Sequence, residues 1–455
     1  MGNKKRALNY QLIWRWHLYA GLILVPFLLI LAITGGIYLF KWDIEKALYA
    51  DYYEVQQEGA SLTTEDQVSI VEDATGDEVV RYRPGEHRER SAEVGIVDEN
   101  GESITIYINP YNGEILGSLV DSNRVMDRLA ELHSELMAGT IGDRIVELVA
   151  CWTIIMIVSG LYLWLPRKKR QTSRRVYPRL KNGKRVLIRD FHAVPAFWLS
   201  AGMMFLLITG MLWTGFWGNG VQHIVTSSGA GYPPSIWVGS APDSEVLTED
   251  VAEVSWAAEN LPVPTSQLIS GYEQLSITDI TNIANDIDVH PTYEVFYPGD
   301  EEGVFTLSTF PHRAQDEATV HIDQYSGAIL ADYRYDNYGA VGKAMALGIT
   351  IHKGLQFGVI NQIAGLLICI GMVLIIITGF WLWKRRKPDN SVGAPKSIKV
   401  TQAKAMLIIL LIFAFIFPLV GLSLIVVYLI DRFVIRKSER LRRWLNVEEG
   451  ETHHG

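Results

Sequence analysis

Four histidines recur in matched register, and imidazole beside an apolar segment is the chemistry to account for first. His17 is followed 17 residues later by Thr34-Gly35, and His192 is followed at the same interval by Thr209-Gly210. His133 precedes Gly139, Gly160 and Trp164 by 6, 27 and 31 residues; His352 precedes Gly358, Gly379 and Trp383 by the same three intervals. Each histidine adjoins an apolar run long enough to cross a bilayer, where an ionisable side chain is costly and is kept for function. One imidazole at a membrane edge is ordinary, but four in two matched registers point to two sites of similar build. A pair of axial histidines on iron is the ligand set that fits. The sequence therefore predicts two b-type haems, one on His17 and His192 and one on His133 and His352.

Ligation sets further requirements. Each imidazole needs one nitrogen free for the metal and the other held by an acceptor. A porphyrin needs room, and Gly21, Gly35, Gly36, Gly202 and Gly210 supply it on two of the helices, although glycines also serve close helix packing. Propionates need cations: Arg15 and Arg189 flank the first pair, and Lys353, Lys343 and Arg144 flank the second. Trp14, Trp16, Trp213 and Trp217 read first as interface aromatics and second as packing for a haem edge. His223 is the substitute ligand for the second pair. His87, His290, His312 and His321 fall in predicted loops or strands and read as surface residues; His453-His454 has no interpretable context.

Other chemistries fare worse. Histidine pairs on opposite sides of a membrane cannot supply the three or four ligands zinc requires. Cys151 and Cys369 both lie inside apolar runs and offer neither a disulfide framework nor a thiolate site. Nothing resembles a glycine fingerprint for a dinucleotide or a flavin, so electrons would arrive from another protein or a reduced carrier. A nucleic-acid partner is not expected.

The elements that must position these residues are membrane spans. Of the 455 residues, 49% are hydrophobic, a proportion that points to the lipid bilayer as partner. Four stretches reach the roughly 20 residues a crossing needs: Leu18–Phe40, Ile145–Leu165, Phe191–Trp213 and Ile363–Trp383. Lys4, Lys5, Arg6 and Arg15 precede the first, eleven basic residues and no acid occupy Arg167–Arg189, and Lys384–Lys387 follow the fourth. Positive charge marks the cytoplasmic side, which puts His17 and His192 inside and His133 and His352 outside. The long connections then lie outside, and residues 218–342 carry 19 acids against Arg313 and Arg334 alone.

Two features strain this plan. From His133 to Pro166 a straight helix would run about 50 Å, so breaks are expected at Gly139–Asp143 and at Gly358–Asn361, with Asp143 and Asn361 as caps. The fifth apolar segment, Ala405–Ile430, contains Pro418 and Gly421. A single crossing would strand the basic tail Arg432–Arg443 outside. A hairpin turning at Pro418–Gly421 would have legs of about 13 residues, near 20 Å, too short to cross. A single crossing is the expectation.

The connections share a signature of their own. Tyr107-Ile-Asn-Pro-Tyr-Asn-Gly-Glu-Ile-Leu116 aligns with His321-Ile-Asp-Gln-Tyr-Ser-Gly-Ala-Ile-Leu330, each a hairpin turning at Gly113 or Gly327. Thr64–Ala74 and Ile277–Ile287 read as short helices upstream, and Ser227–Pro242 reads as loop. These turns, the Arg15-Trp16-His17 opening followed by Gly21, and Phe417-Pro-Leu-Val-Gly421-Ser resemble the PepSY-associated transmembrane family over nearly the whole chain.

The resemblance implies an α-helical protein of the bacterial inner membrane: a four- to five-helix transmembrane bundle, internally duplicated, with two external α+β PepSY-like domains. The partition expected is a first span at 1–42, a first external domain at 43–130, a second span at 131–166 and a basic cytoplasmic loop at 167–189. A third span at 190–217, a second external domain at 218–342 and a fourth span at 343–384 follow. A cytoplasmic loop at 385–404, the fifth apolar segment at 405–431 and the tail at 432–455 complete it. Some relatives are haem-containing ferric-siderophore reductases. The implied activity is thus that of a haem-dependent oxidoreductase, passing electrons from a cytoplasmic donor such as a flavoprotein to an external ferric chelate. PepSY domains elsewhere inhibit proteases, so the alternative is a non-enzymatic sensor or peptidase-modulating protein.

Overall fold

The computed structural model describes residues 2–165, 176–181, 183–232, 242, 244–268, 271–309, 311–395 and 404–447. Residues 167–175 and 182 of the basic loop, much of the Ser227–Pro242 loop and His453-His454 lie outside the described residues. Two compact units form: a helical unit of residues 1–36, 131–219 and 364–455, and a sheet unit of residues 37–130 and 220–363.

Among the described residues, five helical segments are long and apolar enough to cross a membrane: Asn9–Tyr38, Gly139–Trp164, Lys184–Trp213, Val359–Arg386 and Pro418–Ile435. Leu24, Leu28 and Ala32, spaced four apart on the first, make one face that meets Val149, Met203 and Met372 from the next three. Small residues let backbones approach: a side chain on Gly36 would meet Cys369, and one on Gly202 would meet Ile368.

The fifth segment does not cross once. Its first helix, Lys404–Ile416, stops at Phe417, which adopts φ −122° and ψ 87°, as a residue before proline is driven to do. Pro418–Ile430 then doubles back. A Cβ on Gly421 would lie 3.3 Å from that of Ala414, whereas seven residues of straight helix separate atoms by about 10 Å. Asp431–Ile435 extends this leg by a π-turn, making 18 residues and about 27 Å.

Of the two legs expected to be too short, the second is thus longer than its apolar run, because its backbone continues past the last apolar residue, while the first keeps 13 residues. Phe417 and Val420 pack with Ala150, Cys151, Ile154 and Met211, and Trp152 Nε1 donates to Ser423 Oγ at 3.0 Å. The chain leaves and returns at one guanidinium: Arg15 donates to the carbonyls of Pro395, Leu445 and Asn446. Tyr19 adds a bond to Leu445 O at 2.7 Å, and Asn446 Nδ2 reaches Ala394 O at 2.9 Å. The tail's positive charge thus joins that of the first span's opening, and the conflict with the charge rule disappears. Single cysteines placed at Asn390 and at Arg440 are expected to react with an impermeant maleimide from the same membrane face. Labelling from opposite faces would restore the single crossing.

In the sheet unit, the two domains expected are joined into one eight-stranded antiparallel sheet. Its strands are β1 (Val79–Arg83), β2 (Ala92–Val97), β3 (Ser103–Ile108), β4 (Ile115–Val120), β5 (Tyr293–Phe296), β6 (Val304–Thr309), β7 (Ala318–Asp323) and β8 (Ile329–Arg334). Their order, β4-β3-β2-β1-β5-β6-β7-β8, reads the same outward from the β1–β5 seam. Each half is a helix followed by a four-strand meander. The helices, Thr64–Thr75 and Ile277–Asp286, fall where the sequence puts them, capped by Thr63 and Ser276. Gly113 and Gly327 turn the β3–β4 and β7–β8 hairpins at φ 77° and 71°. The ladder slips at equivalent places, after Tyr107 in one half and after His321 in the other.

One face of the sheet is apolar. Val94, Ile106, Val295, Leu307 and Val320 bury against Val68 and Val71 of one helix and Ile280 and Ala284 of the other, each large aliphatic contributing about 1.5–3 kcal/mol. The opposite face is polar and buried as well: Glu93, Thr105, Tyr107, Thr306, Ser308, Thr319 and His321 are all less than a tenth exposed. On that face Glu294 holds Arg81 at 3.1 Å and Arg83 at 3.5 Å, tying β5 to β1 across the seam.

Candidate functional site

Three of the four matched histidines meet neighbouring helices in one geometry. His17 Nδ1 lies 2.9 Å from Ser159 Oγ and also faces the Met156 carbonyl. His133 Nδ1 lies 2.8 Å from Thr34 Oγ1 and faces the Leu31 carbonyl. His192 Nδ1 lies 2.9 Å from the Ile375 carbonyl, to which Thr378 Oγ1 also turns at 3.1 Å. In every case the carbonyl stands three residues before a hydroxyl, and a glycine follows that hydroxyl. The ring rests against this glycine through the same atom: Cε1 would lie 3.2, 3.0 and 3.0 Å from a Cβ on Gly160, Gly35 and Gly379.

These contacts fix the tautomer. A carbonyl only accepts. Ser159 Oγ gives its hydrogen to Met156 O, and Thr34 Oγ1 gives its own to Ile30 O at 2.7 Å, so each hydroxyl has only lone pairs left for the imidazole. Nδ1 must therefore carry the proton, which leaves Nε2 with a lone pair in all three rings. Thr209-Gly210, at the end of the third span, repeats the hydroxyl–glycine pair, with Thr209 Oγ1 turned to Phe205 O at 2.7 Å. A Ser/Thr-Gly dipeptide thus occurs in each of the four long spans, and three of the four seat a matched histidine. The glycines of all four were legible as a repeat, but the hydroxyls of Ser159 and Thr378 passed unnoticed.

His17 and His192 are near enough for charge on one ring to act on the other, and both remain half-buried. His133 belongs to the helical unit. It ends a short helix, Val125–Glu135, beyond which Leu136 and Met137 take φ 52° and 58° before the span opens at Gly139. The expected break is present but three residues early. Asp143 does not cap it; that carboxylate instead accepts from Gly215 N at 3.1 Å. His352 is the last residue of Ala340–His352 in the sheet unit. Gly354 and Gly358, at φ 80° and 58°, make the break that follows it, and Asn361 donates to Ile351 O from within the next helix.

The flanking cations differ from expectation. Arg15 is buried and committed to three carbonyls, so it is not the propionate partner expected from its position. Arg189 is half-exposed and touches Asp190 at 3.3 Å, a carboxylate already held by Arg179. Arg144 pairs with Asp143 at 2.7 Å. Lys343 lies over the Tyr335 ring at 5.6 Å, and Lys353 is half-buried at the end of the His352 helix. Trp16 stacks on Trp152 at 6.3 Å and Trp217 tilts against Phe417. His223 and His87 are exposed, His290 turns to Thr292, and His312 lies against Trp42. His321, expected at the surface, is fully buried between Thr306 and Thr248, and burial lowers its pKa to about 3.

A bundle of apolar helices long enough to cross a bilayer, in one chain with an antiparallel sheet, defines a membrane protein. Residues 14–386 match the PepSY-associated TM region, and the chain belongs to that family. A search for similar curated proteins found no match.

The hydroxyl–glycine seats make a packing prediction. Gly35→Val would press a branched side chain onto His133 and is expected to destabilise the protein by about 1–3 kcal/mol. Gly220→Ala, whose Cβ meets nothing within 4 Å, should leave the thermal midpoint in detergent unchanged or slightly raised. Equal midpoints for the two variants would show that the ring does not occupy that seat.

Proposed function

We propose that this chain is a haem-bearing electron carrier of the bacterial inner membrane, taking electrons from a cytoplasmic donor and delivering them to an external ferric chelate. One observation carries the reading: three matched histidines, each a neutral imidazole held by its Nδ1–H, with Nε2 kept as a lone pair beside a glycine. That is the protonation and second-contact pattern of a metal-ligating histidine. A zinc site is not the better fit, because among the described residues no group of three or more His, Cys, Asp or Glu is placed to hold an ion.

In this reading His17 and His192 hold the inner b-type haem, and His133 is a ligand of the outer one. His352 enters as its partner on sequence register. Haem supplies a one-electron couple. The chain's own residues orient the ligands: Ser159 and the Met156 carbonyl keep the His17 ring from turning, and the Ile375 carbonyl does so for His192. Some 17 residues separate His17 from the Thr34 seat of His133, about 26 Å along one helix. The Trp16–Trp152 stack adds aromatic surface within that helical unit. With Arg15 engaged elsewhere, Arg189 is the cation left for an inner propionate.

Pyridine haemochrome assay of the purified chain is expected to give two haems per polypeptide, falling to one in His17→Ala or His192→Ala. A colourless preparation would remove the reading and leave the sensor alternative. Ser159→Ala should keep the full haem content while raising the midpoint potential of one haem, since a ring that loses an acceptor at Nδ1–H becomes a weaker base. An unshifted potential would show that Ser159 does not hold the ligand.

A further inference from the structure

One loop of the sheet unit runs against the charge of its surroundings. Residues 218–342 hold 19 acids and two arginines. Arg334 is committed, to Asp332 at 2.9 Å and to the Ile287 carbonyl at 2.9 Å. Arg313 is exposed, and its guanidinium has no carboxylate partner among the described residues. It shares the connection between β6 and β7, residues 310–317, with His312, whose exposed ring meets Trp42 at 5.7 Å. Trp42 stands four residues beyond the first long apolar helix. In the first half the corresponding connection, between β2 and β3, is Asp98-Glu99-Asn100-Gly101-Glu102. It is acidic and closed on itself, Asp98 Oδ1 accepting from the backbone N–H of Asn100 at 2.9 Å and of Glu102 at 2.7 Å. The fold therefore does not require basic residues at this place.

The loop is also held in position. Pro311 and Ala314 are buried on either side of His312 and Arg313, and a 3-10 turn, Ala314–Asp316, follows. Gln356 pins it: Oε1 accepts from Ala314 N at 3.0 Å and from Thr350 Oγ1 at 2.9 Å, while Nε2 donates to Gln315 Oε1 at 3.0 Å. Thr350 and Gln356 bracket His352, two residues before it and four after. An exposed cation is thus fixed to the segment that carries a matched histidine. The acids close to it in the chain or in space are Asp316 and Asp43, the latter beside Trp42 and reached by Gln362 at 3.5 Å. Neither pairs with Arg313.

We propose that His312, Arg313 and Trp42 form the docking place of an anionic, carboxylate-bearing metal chelate, the external acceptor of the electron-carrier reading, on which this inference rests. A guanidinium fork matches a carboxylate, the imidazole offers a second polar contact, and the indole gives an apolar wall to the carbon frame of the chelate. The bonds from the loop to both sides of His352 favour this acceptor over a lipid headgroup.

Titration calorimetry of the full chain in detergent with gallium(III)–EDTA, an anionic chelate whose metal is not reduced, reads binding without electron transfer. One saturable site is expected, weakened about five- to tenfold in Arg313→Gln, the size of one hydrogen bond. Arg88→Gln, which removes the same charge from an exposed position in the first half, should leave the affinity unchanged. No binding to the unaltered chain, equal affinity in Arg313→Gln, or an equal loss in Arg88→Gln overturns the proposal. Should the chain take up phosphatidylglycerol from mixed micelles through Arg313 and bind no chelate, the loop is a lipid contact and the proposal falls. The two readings fail separately: a colourless preparation that binds the chelate sinks the electron carrier and leaves a chelate site, whereas a haem-loaded one that binds none keeps the carrier and removes the site.

Discussion

A hydroxyl that has already donated its hydrogen to its own helix can only accept, and the histidine seats depend on that constraint. Thr34, Thr209 and Thr378 bond back to the carbonyl four residues before, and Ser159 to the one three before, as serine and threonine do inside helices. In an apolar bundle no water competes for what remains. Any imidazole brought to such a hydroxyl must come as a donor, and the glycine that follows lets the ring lie close enough. The helix thereby sets the charge and the tautomer of a side chain on its neighbour. Seats of this kind are cheap to repeat, needing only two adjacent residues of the right type.

The sheet shows the opposite economy. Its apolar face closes in the usual way, under two helices, and would suffice for a stable half-sandwich. Its other face is covered too, by Tyr52 and Tyr53 on one side and by Thr248, Ala252 and Val254 on the other, so strands that alternate as if half-wet are dry on both faces. Burying Arg81, Arg83 and Glu294 at the seam is poor evidence of stabilisation, because ion pairs taken out of water recover little more than their desolvation cost. What they do secure is register: Glu294 can reach both arginines only when β5 stands opposite β1 as it does.

Much of this was legible in the chain. The four long spans, the two short helices and the Gly113 and Gly327 hairpins each follow from local pattern, and the intervals around the four histidines single out Gly35, Gly160 and Gly379 as a repeat without showing that rings rest on them. The rest is non-local. Nothing in Val79–Arg83 or Tyr293–Phe296 announces that strands more than two hundred residues apart will pair. His321 sits at a polar position of an alternating strand, and only the segments folded over that face bury it. Arg15 carries the positive charge expected at a span's inner end, and no spacing reveals that three carbonyls from the far end of the chain claim it. Asp431 and Arg432 end the apolar run, so its length understates the second leg of the hairpin, whose backbone continues through a π-turn.

The Arg15 clamp also orders events in time. Two of the three acceptors of Arg15, the carbonyls of Leu445 and Asn446, leave the ribosome more than four hundred residues after it. Until then the Arg15 guanidinium must stay hydrated, and the helix that carries His17 is not yet tied down. The first helix is thus seated only after the segment that carries Leu445 and Asn446 has been made. A chain cut short before Leu445 would keep that charge solvated and the helix that carries His17 untethered.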